Sequence, residues 1–190
     1  TKSFGLFFQR RIGQYGKEFY IFKIKTMINA FDEKPNYITT VKNKRITYFG
    51  SILRKFKLDE IPQIFNILFG DMSFVGPRPD VRGFANSLTE DNRIILDVRP
   101  GVTGPASLYY RDEEFILSLK EKPEEYNKKV IWPNKVKINK EYIYNWTLMK
   151  DIKYIFLTIF YVLKIIFWYE INKGNSLTKM TLLQIFLRID

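Results

Sequence analysis

Apolar residues change their spacing several times along the chain, and each change marks an element. Phe7–Arg11 and Phe19–Lys25 read as two short strand-like runs, the second alternating imperfectly, with Gly13-Gln14-Tyr15-Gly16 as the turn between them. Residues 29–45 are polar around Pro35-Asn36 and read as a solvated loop. Spacings of three and four then take over. They predict a helix over about 47–57, with Ile52, Leu53 and Phe56 on one face. A second is predicted over about 59–68, with Ile61, Ile64, Phe65 and Leu68 at helical spacing and Gly70 as its stop. Two loops punctuated by Gly and Pro, 70–83 and 99–105, flank a helix predicted over 89–98. Residues 111–129 are charged and helical in part, broken at Pro123. The last strong pattern runs from Asp151 to Phe167, where Ile152, Ile155, Phe156, Ile159, Phe160, Leu163, Ile166 and Phe167 share one helix face. The expected fold class is therefore α/β, helix-rich with short strands.

That final helix is too short in its apolar part to span a bilayer. The stretch Tyr154–Leu163 is about half of the roughly 20 residues needed, and Lys164 then intrudes. An interfacial helix with Trp168 and Tyr169 at headgroup level fits the pattern better than an ordinary core helix.

Composition narrows the chemistry. The chain has 190 residues and no Cys or His, so thiol catalysis, zinc–thiolate sites and imidazole bases are excluded. Catalysis falls to Asp, Glu, Lys, Arg, Ser, Thr or Tyr, and any metal would be a hard cation held by oxygen, most simply Mg²⁺. A net charge of +11 with 17% aromatic residues points to an anionic partner, whether phosphate, an acidic membrane surface or nucleic acid. No secretory signal is visible over Thr1–Gly16, and a chain opening at Thr1 rather than Met is expected to have residues upstream.

The most informative stretch is Arg54-Lys-Phe-Lys-Leu-Asp-Glu-Ile-Pro-Gln63. Pro62 is accepted in a first helical turn, which places Asp59 near the N-cap and Glu60 in that turn. Free N–H groups and the dipole there stabilise a carboxylate and would also hold a phosphate. Arg54, Lys55 and Lys57 lie just upstream, so two acids sit among cations. On the local pattern alone, routine capping is the stronger reading of the same pair. Pro77-Arg78-Pro79 would hold Arg78 extended for a bidentate phosphate contact, or is a rigid turn with a solvated arginine; Arg99-Pro-Gly is open to the same two readings.

Order resolves what single motifs leave open. Phe8-Gln9-Arg10…Gly13…Gly16-Lys17, Lys23-Ile-Lys-Thr-Met27, Leu58-Asp-Glu-Ile-Pro-Gln63…Asn66, Gly70-Asp-Met-Ser-Phe-Val-Gly-Pro-Arg-Pro79, Arg99-Pro-Gly-Val-Thr-Gly104 and Asn145-Trp…Asp151 together resemble the bacterial sugar transferases known as monotopic phosphoglycosyl transferases. The resemblance runs from about Phe8 to Lys164. It implies a compact membrane-surface catalytic domain over 1–169 and a tail, 170–190, of unknown role. It also implies transfer of a sugar-1-phosphate from a nucleoside diphosphate sugar, usually a UDP-sugar, to polyprenol phosphate at the cytoplasmic face of the bacterial membrane, with no nucleic acid partner.

By the same resemblance Asp59 is the nucleophile that carries the phosphosugar, and Glu60 completes the dyad by assisting with the acceptor proton or metal positioning. Mg²⁺ would be held by Asp59 and the diphosphate. Arg54 and Arg78 would contact phosphate, with Lys23, Lys25, Arg99, Pro77 and Pro79 completing the substrate site. Three departures stand out. The family's N-terminal re-entrant membrane helix is absent from this chain, so a truncated or shortened relative is expected. Lys25 stands where the family usually has Arg, and Phe56-Lys57 are bulkier than the small residues common before Leu-Asp-Glu. A basic membrane-surface or nucleic-acid-binding module without chemistry, or an inactive relative, remains the alternative. The charged segment 111–129 is the candidate for donor selectivity.

Overall fold

The computed structural model describes residues 5–28, 45–85 and 87–171. The solvated loop expected over 29–45 falls, except for Arg45, outside the described residues, as does the tail beyond 171.

β1 (Leu6–Ile12) and β2 (Glu18–Ile24) form the expected antiparallel hairpin, with Phe8 opposite Phe22 and Arg10 opposite Tyr20. Its turn needs two successive left-handed residues, Tyr15 (φ 57°) and Gly16 (φ 74°). Met27 bridges to Ile46, and the chain enters α1 (Tyr48–Lys55), capped by Thr47 Oγ1, which accepts the Gly50 N–H at 2.9 Å. Gly50 is required where α1 approaches the strand end, because a Cβ there would stand 2.1 Å from the Thr26 carbonyl oxygen.

After a 3₁₀ turn (Leu58–Glu60) comes α2 (Gln63–Leu68), stopped at Gly70 (φ 83°) as expected. The two Gly/Pro loops each contain a short strand that the spacing did not signal. β3 (Ser73–Val75) and β4 (Gly101–Thr103) pair in parallel, joined through α3 (Arg82–Ala85) and a 3₁₀ helix, Glu90–Leu96, within the helix expected over 89–98. The glycines permit this pairing: a Cβ on Gly101 would lie 2.1 Å from the Gly76 nitrogen.

α4 (Pro105–Tyr109), α5 (Glu113–Ser118) and α6 (Pro123–Tyr126) follow. Pro123 opens α6 rather than ending a helix, since its missing N–H costs nothing in a first turn. A π turn (Asn127–Ile131) then leads into α7 (Trp132–Tyr144), a helix not anticipated. The π turn ends two residues before Pro133, whose ring would otherwise meet the carbonyl of residue 129.

The last helix, α8 (Leu148–Ile171), begins three residues before the expected start. Asp151 fixes its entry by accepting from Tyr142 Oη at 2.6 Å and Trp146 Nε1 at 2.9 Å. α8 lies on β3 and β4, where Thr158 Oγ1 meets Thr103 Oγ1 at 2.6 Å. Its opposite stripe, including Phe156, Phe160, Leu163 and Phe167, is exposed. The placement expected for the Trp168 and Tyr169 side chains falls outside what is described. Among the described residues no helix is long and apolar enough to cross a membrane. The core gathers Ile12, Ile21, Leu53, Met72, Val75, Ile95, Leu117, Ile131 and Val136 from nearly every element.

Candidate active site

The acidic pair is not at the N-cap of a regular helix. Lys57 turns left-handed (φ 56°, ψ 19°) after α1, and the chain then makes the 3₁₀ turn that carries Asp59 and Glu60. α2 starts only at Gln63, with Pro62 just ahead of it and no side-chain cap. The N–H groups of Glu60 and Ile61 bond back to Lys57 and Leu58 at 3.3 Å, so they are not free to hold an anion. Side chains, rather than a helix terminus, supply the positive charge.

Glu60 sits at the centre of that charge. Its Oε1 accepts from Lys23 Nζ at 3.0 Å, and both its oxygens are held by the Arg78 guanidinium, Oε2 at 3.2 Å from Nη1. Burial opposes the carboxylate, but Arg78 and Lys23 outweigh burial and hold Glu60 well below the usual range. The fork of Arg78 is matched to a carboxylate in a way lysine could not reproduce.

Arg78 is positioned by the backbone on either side of it. The buried Pro77 gives its carbonyl to the Gly101 N–H at 2.8 Å. The buried Pro79 gives its carbonyl to Arg11 Nη1 at 3.4 Å, and Asp80 gives its own to the Ile12 N–H at 2.9 Å. The Pro-Arg-Pro segment is thus clamped between β4 and β1, which excludes the reading of Arg78 as a solvated turn residue.

Lys23 reaches the same carboxylate because of Asn66. This fully buried amide donates from Nδ2 to the Tyr20 carbonyl at 2.7 Å and accepts the Phe22 N–H at 3.0 Å, fastening α2 to the free edge of β2. Asp59, Pro62, Gln63 and Asn66 make the buried face of this helical segment. Ile61, Ile64, Phe65 and Leu68, the stripe read from the sequence, are exposed. The segment is amphipathic inside out, polar toward the protein and apolar toward the surroundings.

Asp59 is buried and its Oδ1 has no hydrogen-bond partner. Burial, then the neighbouring Glu60, push its carboxyl above the usual value, opposed by Lys23, Lys57 and Arg54. An unpaired buried oxygen costs about 1–3 kcal/mol, which the fold tolerates here.

The other expected residues are spread around this centre. Arg54 pairs with Glu114 of α5 and lies 3.8 Å from Met27 Sδ, so in this state its guanidinium is already engaged. Lys25 follows the end of β2, its N–H bonded to the Gly5 carbonyl at 3.1 Å. Arg99 is exposed, with its guanidinium beside Gly70 beyond the far end of α2.

Arg11, Asp80, Glu113, Glu114 and Lys135 were not singled out from the sequence. Burial lowers Arg11 to about 10 and raises Asp80 to about 7. Strand alternation holds the signal for Arg11, since it shares a face with Gln9, whose Oε1 it bonds at 2.7 Å, while Arg10 faces out to Tyr20. Glu113 and Glu114, which engage Lys135 and Arg54, come from the segment considered for donor selectivity.

No group of three or more acidic ligands occurs among the described residues. The donor set still suits Mg²⁺, a hard cation commonly held by one or two carboxylates plus substrate phosphates. Asp59 would supply that carboxylate, whereas both oxygens of Glu60 are taken.

A carboxylate with an unpartnered oxygen lies beside a clamped arginine and a lysine that share a single counter-ion, a set of charges suited to a phosphate group. The family model described as bacterial sugar transferase matches residues 2–165, and the chain belongs to that family. It is 33% identical over 153 residues to the uncharacterized sugar transferase EpsL of Bacillus subtilis, covering 80% of this chain and 67% of that one. It is 39% identical over 165 residues to the UDP-glucose:undecaprenyl-phosphate glucose-1-phosphate transferase of Xanthomonas campestris, covering 83% of this chain. The protein of the same name from Escherichia coli is 35% identical over 159 residues, covering 82% of this chain. The chain spans only 31% and 32% of the length of these last two relatives.

Proposed function

We propose that this chain transfers a sugar-1-phosphate from a nucleoside diphosphate sugar, of the UDP-sugar class, to polyprenol phosphate at the inner face of a bacterial membrane. The observation that carries the reading is the buried Asp59 with its unpartnered oxygen, next to the Glu60–Lys23–Arg78 cluster. Relatives named as glucose-1-phosphate transferases acting on undecaprenyl phosphate support the substrate classes.

In the first step a carboxylate oxygen of Asp59 attacks the phosphorus that bears the sugar. An O–P bond forms, and the bond from that phosphorus to the bridging oxygen breaks. UMP leaves with the bridging oxygen and the electron pair. In the second step a phosphate oxygen of the polyprenol phosphate attacks the same phosphorus and displaces Asp59, which returns as a carboxylate. The product is a polyprenyl diphosphate sugar. Splitting the transfer lets a soluble donor and a lipid acceptor use one site in turn.

Glu60, ionised and doubly engaged, serves to hold Arg78 and Lys23 where the phosphate charge develops, which favours an organising role over proton transfer. Lys57 and Arg54 add to the field at Asp59. Mg²⁺, bound by Asp59 and phosphate oxygens, would supply neutralisation of the diphosphate. The inside-out amphipathic character of the α2 segment and the exposed stripe of α8 support a site held at the lipid boundary.

The test is UMP release by membranes carrying the protein, given a panel of UDP-sugars with undecaprenyl phosphate. One or more donors are expected to yield UMP, and Asp59→Asn is expected to lose at least about a thousandfold in rate. Unchanged release by Asp59→Asn would refute the covalent route.

A further inference from the structure

Gln63 is 1% exposed, and neither its Nε2 nor its Oε1 has a hydrogen-bond partner among the described residues. Buried amides are ordinarily paired, so one with both ends open calls for an explanation. It stands four residues after Asp59 on the same buried face, and the chain between them is right-handed helical through Ile61 and Pro62. Asp59 Oδ1, the other open polar atom on that face, is an acceptor. The unmet donor and the unmet acceptor are complementary, and they lie about one helical turn apart.

Asn66 and Glu60 do not compete for either. Asn66 spends its amide on Tyr20 and Phe22 of β2, and Glu60 spends both oxygens on Lys23 and Arg78. Resting on the transferase reading above, we propose that Gln63 is the positioning residue for Asp59, its Nε2 donating to Oδ1 during the reaction so that the second oxygen is aimed at the donor's phosphorus. The amide is left unpaired at rest because the carboxylate must move between binding the donor and carrying the phosphosugar. A rigid hydrogen bond would resist that movement.

Two substitutions separate this from a packing role. Gln63→Met keeps size and shape but removes the donor and the unsatisfied atoms. Gln63→Glu keeps shape and places there a carboxyl that donates when protonated and cannot when ionised. In the donor half-reaction, read as the burst of UMP, Gln63→Met is expected to lower the rate by about tenfold or more with KM for the UDP-sugar within about twofold, and Gln63→Glu to do so only as pH rises through its ionisation. Thermal unfolding of Gln63→Met is expected at or above the wild-type temperature, because an apolar side chain replaces an unpaired amide. A folded Gln63→Met with wild-type kcat would overturn the proposal. So would a clear fall in its unfolding temperature, which would identify the amide as a satisfied structural group. Asp59→Asn run in parallel distinguishes the failures: if it is inactive while both Gln63 variants turn over normally, only the role of Gln63 falls.

Discussion

Asp59 and Glu60 are adjacent in sequence, and their carboxyls are shifted in opposite directions. Glu60 gains more from Arg78 and Lys23 than it loses by burial, whereas Asp59 loses by burial and by proximity to Glu60. Their contributions to stability therefore depend on pH with opposite sign. A depressed carboxyl contributes stability that is complete above its unfolded pKa, about 4.3 for Glu, and is lost as pH falls through the folded value. Glu60→Gln is expected to cost about 2 kcal/mol at neutral pH, below the roughly 3–5 of a fully buried pair because the Arg78 side chain is 40% exposed. It is also expected to flatten the acid limb of stability below about pH 4. A raised carboxyl is a penalty that is full above its folded pKa and vanishes below about 3.9 for Asp. Asp59→Asn is expected to stabilise by roughly 1 kcal/mol at neutral pH while abolishing transfer, and the gain should disappear near pH 4. Urea unfolding followed from about pH 3 to 8 reads both effects. Equal destabilisation by the two substitutions at neutral pH would contradict the opposite shifts of the two carboxyls.

At the scale of elements, how much could be read in advance depended on whether local spacing or tertiary contact decides the outcome. The hairpin, α1 and α8 follow from spacing and turn residues, and they lie close to where the pattern placed them. Lys23, Glu60 and Arg78 were legible as residues, but their convergence depends on Asn66 fastening α2 to β2 and on the clamp around Pro77 and Pro79. Periodicity reports neither. It reported the stripe Ile61, Ile64, Phe65 and Leu68 without reporting which way it faces, because period carries no sign. β3 and β4 are three residues each, too short to alternate visibly. Their pairing is encoded instead in glycines whose backbones touch. Gly101→Ala, whose Cβ would lie 2.1 Å from the Gly76 nitrogen, is expected to cost about 3 kcal/mol or more and to displace the Arg78 loop. Gly83→Ala in α3 meets nothing within 4 Å and is expected to be neutral or to stabilise by about 0.5 kcal/mol. Similar unfolding temperatures for the two variants would refute the close backbone approach as the reason for glycine.

On the scale of the whole molecule, many of the exposed apolar side chains fall in groups. Leu6, Phe7 and Phe8 on β1, the outward stripe of α2 with Phe69, and Phe156, Phe160 and Phe167 on α8 all lie open. The first two groups are joined by ring contacts, Phe8 to Phe22 at 5.3 Å and Phe22 to Phe69 at 6.4 Å. The same segment that turns Ile61, Ile64, Phe65 and Leu68 outward turns Asp59 and Gln63 inward, so an apolar contact made by α2 would bring the acid pair to the contact's edge. A net charge of +11 would add attraction to anionic headgroups. Binding to vesicles of phosphatidylglycerol and phosphatidylethanolamine is therefore expected, weakening but persisting as salt is raised, because the apolar part is not screened. Each buried phenylalanine contributes about 1.5 kcal/mol or more, so Phe156→Ser, Phe160→Ser and Phe167→Ser combined should weaken vesicle binding at least about a hundredfold. These side chains are 67%, 64% and 71% exposed, so the fold should survive, and circular dichroism would verify it. Tyr48→Ser, at 82% exposure on α1, is the control for loss of an exposed aromatic outside α8. Co-sedimentation that is unchanged in the triple variant would remove α8 from the lipid contact, and binding abolished by moderate salt would reduce the interaction to charge alone.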